Sequence, residues 1–375
     1  MAKKKGRKTY KKLNLTATIL FIIFLAAVAL VYYFIVPKLA GQYKDSEKIA
    51  SLDSNANKPT TLSCGEIEED FKIHFVDVGQ GDGIVIELPD GKNMLVDAGK
   101  KANVAKLTDY IDSLGINTFD YLIATHQDED HIGGMKTIFD KYQVNYVFRP
   151  HVLSTYSSAS ELPENFNQGS SRSSCVCKTQ TYYTFLKCII DEGSQWSFFN
   201  KDSDITFEYT SEGTEYKCSF DFLTPTAEVE EIAYANNANN YSPIIRIEYC
   251  DYKVLLTGDA EAETEKEFVD FYTQNKGYLD VDLLKVGHHG SATSSSQDFL
   301  SLIKPEISVI SCGVGNTYGH PTQAALERLL GIGSSIYRTD VQGTVILTVP
   351  IKEKPFMTTS ITDYNEADLY KYGTK

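Results

Sequence analysis

Two imidazoles and three carboxylates crowd into six consecutive positions, His126-Gln127-Asp128-Glu129-Asp130-His131, directly after the apolar stretch Tyr121 to Ala124 and before Gly133-Gly134. Like charges held this close repel unless they are fully solvated or a multivalent cation inverts the local field. Imidazole and carboxylate are also the usual ligands of catalytic zinc and manganese. His126, Asp128, Asp130 and His131 cannot share one helical face, but a loop at a strand end can turn all four toward one point. The glycine pair then lets the chain leave tightly into a helix. The competing reading, a solvated acidic loop with incidental histidines, is weakened by the rest of the chain.

Three downstream runs end in similar chemistry. Val254 to Thr257 leads into Gly258-Asp259, whose carboxylate could bridge two cations or simply cap the next helix. Leu283-Leu284-Lys285-Val286 leads into Gly287-His288-His289-Gly290-Ser291, with glycines that let backbone approach a ligand closely. Asn316-Thr317-Tyr318-Gly319-His320-Pro321 places a further histidine after a strand. Only seven histidines occur in the chain, so five of them falling in strand-end motifs argues against chance placement. The other two, His74 and His151, read as a structural strand residue and a pocket-lining candidate.

Strands and helices must carry these motifs. Phe71 to Val78, Ile84 to Leu88 and Met94 to Val96 read as short strands, the last two joined as a hairpin through Pro89-Asp90-Gly91. Helices over 101–114, 132–140, 262–274 and 322–330 alternate with strands over 120–124, 144–149, 217–223, 244–249, 253–257, 281–286, 306–311, 335–338 and 343–349. Interleaving of this kind predicts two packed sheets covered outside by helices. Residues 150–215, rich in Ser and with clustered cysteines, read as an elaborated insertion at the site's edge, with a helix over Thr179 to Ile190.

The N-terminus is of another character. Seven basic residues between Lys3 and Lys12 precede an uncharged stretch from Leu15 to Val36, and the roughly 20 residues that a helix needs to cross a bilayer core are available there. An uncleaved anchor is expected rather than a signal peptide, with a basic cytoplasmic tail over 1–14 and the chain from about 45 onward outside the membrane. Residues 37–70 read as a polar stalk and 351–375 as a tail. The first 44 residues hold nine Lys/Arg and no acids, which leaves 27 basic against 50 acidic residues beyond them. So acidic a domain has little long-range attraction for a polyanion, and a phosphate polymer would have to be held by metal and local contacts. Seven cysteines without a Cys-x-x-Cys pair argue against a structural zinc knuckle. A bridge from Cys188 to Cys175 or Cys177 is expected, with Cys250 and Cys312 as core residues.

His126-x-Asp128-x-Asp130-His131, Asp259 in Thr-Gly-Asp, and His288-His289-Gly290-Ser291 together resemble the metallo-β-lactamase fold superfamily. Val76 to Asp82, Val96-Asp97-Ala98-Gly99, Tyr318-Gly319-His320-Pro321 and Arg338-Thr339-Asp340 are similar to the hydrolase domain of ComEC-type competence proteins, over about 71–350. Position 128 is Asp, as in that branch, where the wider superfamily has histidine. Asn239-Asn240-Tyr241-Ser242 resembles the branch's segment where many relatives carry a third histidine. The resemblance implies an α/β fold, a four-layer αβ/βα sandwich, and a binuclear site for two divalent ions, Zn²⁺ or Mn²⁺. His126 and Asp128 would hold one ion, Asp130, His131 and His288 the other, and Asp259 would bridge. Asp130 would also orient the attacking water, and His289 and His320 would bind developing charge or protonate the leaving group. Asp82, Asp97, Asn240, Ser242 and Ser291 would support ligands or substrate. A phosphodiesterase or nuclease acting on DNA outside the membrane is the implied activity, without a nucleotide cofactor. A cell-wall phosphodiester or lactone substrate, and an inactive membrane-tethered binding protein, are the competing readings, and oligomeric state is left open.

Overall fold

The computed structural model describes residues 60–373 apart from 68, 165, 168–175, 201–202, 227–236, 274–278 and 280. The expected membrane span over 15–36 lies outside the described residues, and no helix among the described residues is long and apolar enough to cross a membrane.

Eighteen strands are described, in chain order β1 (Thr60–Glu66), β2 (Phe71–Phe75), β3 (Ile84–Glu87), β4 (Asn93–Val96), β5 (Thr118–Ile123), β6 (Gln143–Arg149), β7 (Leu153–Ser154), β8 (Val176–Cys177) and β9 (Gln195–Phe198). They continue as β10 (Ile205–Ser211), β11 (Thr214–Phe222), β12 (Ile245–Tyr249), β13 (Tyr252–Leu256), β14 (Leu283–Lys285), β15 (Ile307–Ile310), β16 (Ser335–Arg338), β17 (Val345–Val349) and β18 (Phe356–Thr359). One sheet runs β18-β17-β2-β3-β4-β5-β6-β9, the other β1-β10-β11-β12-β13-β14-β15-β16, and β7 pairs with β8.

Period-two alternation explains the central layer. Phe71, Ile73 and Phe75 of β2, Val345, Leu347 and Val349 of β17, and Phe207, Phe220 and Ile247 of the other sheet form one buried cluster between the sheets. The opposite faces are covered by helices, so the inner strands read as continuous apolar runs. Val85, Leu95, Phe119 and Leu122 pack on Leu107 and Ile111 of the helix Val104–Ser113 and on Tyr182, Phe185 and Ile189 of the helix Gln180–Glu192. Leu255, Leu284 and Ile310 pack on Phe268, Phe299, Leu300, Leu326 and Leu329 of three further helices. The result is the expected order of helices, sheet, sheet, helices.

Three expectations need correction. Thr60–Glu66 is a strand, paired in parallel with β10, where the sequence reads as polar stalk. It is an edge strand whose Thr61 and Ser63 face outward while Leu62 and Cys64 turn toward the core, so composition hides it. Only the first part of 150–215 departs from the sheets, because β9 pairs with β6 and β10 lies between β1 and β11. The C-terminal residues are also bound in. β18 pairs with β17, and the 3₁₀ turn Glu366–Tyr370 is held by Arg338, which donates to the carbonyls of Asp368, Leu369 and Lys371.

The cysteines give a mixed result. Cys177 and Cys188 carry free thiols, as do Cys64, Cys218, Cys250 and Cys312, and Cys175 lies outside the described residues. Cys312 is fully buried, as expected. Cys250 instead sits with Asp251 in a two-residue hairpin turn, both at positive φ (51° and 64°), which is the backbone twist that a tight β12–β13 connection demands.

Candidate metal centre

The parallel strands β4, β5 and β6 of one sheet and β13, β14, β15 and β16 of the other deliver chain to one rim. Asp97 follows β4, His126 follows β5, Asp259 follows β13, and His288-His289 follow β14. Backbone bonds lace these ends together: the Ala98 amide donates to the His131 carbonyl (2.7 Å), the Gly134 amide to Gly99 (2.9 Å), and the His288 amide to Gly258 (3.1 Å). Gly134 is required by that lacing, since a Cβ there would lie 2.2 Å from the Ala98 carbonyl oxygen. Gly81 adopts φ +136°, and a Cβ would meet the Asp130 carbonyl oxygen at 2.3 Å.

Three imidazoles share one arrangement. His131 Nδ1 lies 2.7 Å from Asp97 Oδ2, and His289 Nδ1 lies 2.9 Å from the Ser311 carbonyl oxygen, acceptors that place the ring proton on Nδ1 in each. His126 Nδ1 lies 3.1 Å from Thr125 Oγ1 and 3.2 Å from Ser242 Oγ. The Thr125 hydroxyl already donates to Asp97 Oδ2 and Ser242 Oγ already accepts the Asp259 amide, so both can receive His126 Nδ1–H or adapt to it. In all three rings Nε2 is therefore the free coordinating atom. The Nε2 atoms of His126, His131 and His289 and Oδ1 of Asp259 are buried, and none meets hydrogen-bond geometry with a partner.

Those orphaned atoms converge. Asp259 Oδ1 lies 3.2 Å from His131 Nε2 and 3.4 Å from His289 Nε2. One compact set of donor atoms comes from His126, His131 and Asp259, and a second from Asp130, His131 and His289; Asp82 joins Asp259 and His289 in a third. Buried acceptors without donors are what a cation site presents before a cation is added, so the residues fit divalent metal ions. Electrostatics agree. Burial, then the charge of His131, hold the His126 pKa well below the imidazole range. Burial opposes charge on His131, but Asp259 and Asp97 outweigh it and raise its pKa well above that range, so binding a cation at His131 displaces a proton.

The two adjacent histidines differ from expectation. His289 is buried (1 %) and belongs to the donor sets, whereas His288, expected as a ligand, belongs to none and has a side chain 22 % exposed. Both residues adopt left-handed backbone (φ 47° and 55°), so the side chains leave the turn in directions that strand or helix periodicity does not describe. His288 Nδ1 lies 3.1 Å from Glu261 Oε1, and its Nε2 3.7 Å from Asp259 Oδ2. Asp128 likewise stands at the rim, 47 % exposed at its side chain, with Oδ2 3.8 Å from His126 Nε2.

The remaining expected residues divide in the same way. Asp130 faces His289 Nε2 at 3.8 Å. Asp97 holds Thr125 and His131, and Ser242 links His126 to the Asp259 amide. Asn240 is turned to the fold: it accepts from the Glu261 amide and Thr264 Oγ1 and donates to Glu263, at the start of the helix Ala262–Tyr272. Ser291 Oγ pairs with Thr293 Oγ1 at 2.9 Å rather than facing the donor atoms. His320 is nearly buried, its ring centroid 5.3 Å from His288 and 6.5 Å from His289, and burial with these two imidazoles lowers its pKa to about 4. His74 bonds Tyr110 and Glu87, as a structural residue does. His151 is buried with its ring 4.0 Å from Phe198, and belongs to none of the donor sets.

Two residues escaped the sequence analysis. Lys285, wholly buried, bonds Asp82 Oδ2 at 2.9 Å and leaves Asp82 Oδ1 toward His289 Nδ1 at 3.6 Å. A lysine inside the run Leu-Leu-Lys-Val is the signal that could have found it, since a charge in a doubly covered strand needs a partner. Glu261, two positions after Asp259, is the other. Its bond to His288, ahead of an opposing effect of burial, lowers its pKa to about 2, and the same partner helps raise the pKa of His288 against burial. In metal-free protein, Glu261→Gln is expected to move the His288 titration to lower pH, read by NMR of the ring protons. The stability contributed by the Glu261 carboxylate is present above about pH 4.5 and lost as pH falls through about 2, and an unmoved His288 titration would contradict the pairing.

The model of the metallo-beta-lactamase superfamily matches residues 76–210 and 237–314. The chain belongs to the metallo-beta-lactamase superfamily. Among curated proteins it is 25 % identical to ComE operon protein 3 of Bacillus subtilis over 76 % of this chain and 33 % of that protein. It is 29 % identical to Recombination protein 2 of Haemophilus influenzae (73 % and 28 %) and 27 % identical to Competence protein ComA of Neisseria gonorrhoeae (74 % and 32 %). All three are ComEC-type competence proteins, and the chain spans about a third of their length. Metallo-beta-lactamase superfamily members are generally metal-dependent hydrolases.

Proposed function

We propose that this chain is a binuclear metallohydrolase of phosphodiesters, DNA among them, tethered by residues 15–36 with the hydrolase domain outside the membrane. The observation that carries the reading is the convergence of three buried Nε2 atoms and Asp259 Oδ1, all unpartnered, on overlapping donor sets linked through His131, Asp259 and His289. Two divalent ions bound there would polarise a phosphoryl oxygen and lower the pKa of a water. Within the chain, Asp97 and Ser311 fix the tautomers of His131 and His289, and Thr125 and Ser242 steady His126. Asp130, whose carboxylate lies 3.8 Å from His289 Nε2, would orient the attacking water. His288 and His320 line the rim, where they can hydrogen-bond a substrate oxygen, His320 as a neutral imidazole at physiological pH. The roles proposed from sequence for His288 and His289 are thereby exchanged. The ComEC-type relatives favour DNA as substrate, and the charged flank of the 15–36 stretch favours a cytoplasmic N-terminus.

The full chain, stripped with chelator and reloaded with Zn²⁺ or Mn²⁺, is expected to retain about two equivalents of metal, the count that a binuclear centre holds. It is expected to cleave bis-p-nitrophenyl phosphate and DNA. Retention of less than one equivalent, or cleavage of a lactam alone, would defeat the reading. Membrane fractionation with and without residues 15–36 tests the anchor independently.

A further inference from the structure

The rings at the rim form a ladder that leads out of the site. His289 is 1 % exposed; the ring of His320, 7 % exposed, lies 28° from parallel to it at 6.5 Å; and the ring of Tyr318, 54 % exposed, lies 27° from His320 at 5.7 Å. Lys100 sets its ammonium 5.2 Å from the centroid of the Tyr318 ring. Isolated exposed apolar residues are ordinary. These are not isolated: of the eight large exposed apolar or aromatic side chains among the described residues, Val314 and Tyr318 share this loop. Tyr372 is brought beside it by Gly373, whose amide donates to the Pro321 carbonyl and whose Cβ position meets the His320 carbonyl oxygen at 2.7 Å.

We propose that Tyr318, with Lys100 beside it, is the platform on which an unpaired nucleobase next to the scissile phosphodiester stacks. The inference rests on the phosphodiester reading and narrows it to single-stranded nucleic acid. Every base has a π-face, so such a platform binds without reading sequence, and a base already stacked within a duplex is not available to it. The 27 basic against 50 acidic residues beyond residue 44 give little long-range attraction for a duplex's phosphates, so affinity must come from local contacts, the metal centre and stacking among them.

The test uses the full, Zn²⁺-loaded chain and fluorescein-labelled thymidine oligonucleotides, base-bearing or carrying abasic sites, with binding read by stopped-flow anisotropy before turnover. The base-bearing strand is expected to bind about 5- to 100-fold tighter than the abasic one, the range that stacking on one aromatic ring supports. Tyr318→Phe is expected to keep most of that ratio and Tyr318→Ala to bring it close to one. Equal binding of the two strands by the unaltered chain, an unchanged ratio in Tyr318→Ala, or duplex bound as tightly as single strand would overturn the platform. Hydrolysis is measured on the same samples: cleavage without base dependence leaves the phosphodiesterase standing and removes the platform, whereas base-dependent binding without cleavage removes the phosphodiesterase and leaves Tyr318 as a stacking site with no scissile bond beside it, which overturns the platform as proposed.

Discussion

Asp259→Asn is expected to lower phosphodiester hydrolysis by about 10³-fold and to reduce bound metal below two equivalents. The carboxylate belongs to two of the overlapping donor sets and bridges their histidines: Oδ1 lies 3.2 Å from His131 Nε2 and 3.4 Å from His289 Nε2, and the residue is 2 % exposed. Burial opposes its charge, yet His131 and His289 hold its pKa well below the carboxylate range, so it is ionised throughout the working pH range. Asparagine keeps the shape and the backbone bond to Ser242 while removing the charge and exchanging one acceptor oxygen for an NH2 donor. Loss of several kcal/mol of charge stabilisation, at 1.36 kcal/mol per factor of ten, gives the stated magnitude. Metal analysis and initial rates on the same preparation check it. A variant within tenfold of the unaltered chain, with full metal, would remove Asp259 from the centre of the mechanism.

Asp97→Ala is expected to destabilise the fold, and Asp97→Asn to weaken metal binding while the fold stands. Asp97 is fully buried and accepts the Thr125 amide (2.9 Å), the Thr125 hydroxyl (2.7 Å) and His131 Nδ1 (2.7 Å). Removing one partner of a buried ion pair costs about 3–5 kcal/mol because the other is left uncompensated. Alanine at φ 59° adds the strain of a left-handed backbone that Asp and Asn tolerate. Urea denaturation of metal-free protein measures the first effect. For Asp97→Asn, loss of the carboxylate behind His131 is expected to weaken metal affinity by about 10–100-fold. Unchanged affinity would mean that the Asp97–His131 bond serves only the fold.

The sequence revealed the chemistry better than its geometry. Asp97, His126, Asp259 and the His288-His289 pair could be placed at strand ends because the strands before them are short, apolar and covered on both faces. Which of two adjacent histidines points inward was not legible, since two consecutive left-handed residues follow no side-chain periodicity. Lys285 and Glu261 were missed because the partner that gives each its role lies far away in sequence, Asp82 for one and His288 for the other, even though a lysine in an apolar run signals that some partner exists. The same limit hid β1 and β18. Both lie at sheet edges, where one face stays polar and the alternation is too short to separate from a loop.

The free thiols have a bearing on how the domain matures. In all six described cysteines burial pushes the thiol pKa up, to about 11 for Cys188 and well above the ordinary value for Cys218 and Cys312. Thiolate is the species that attacks disulfides and oxidants, so the folded domain holds these six cysteines in their least reactive form. Among the described cysteines, packing rather than cross-linking secures the strands and helices that carry them, so those six positions call for no thiol oxidase on either side of a membrane.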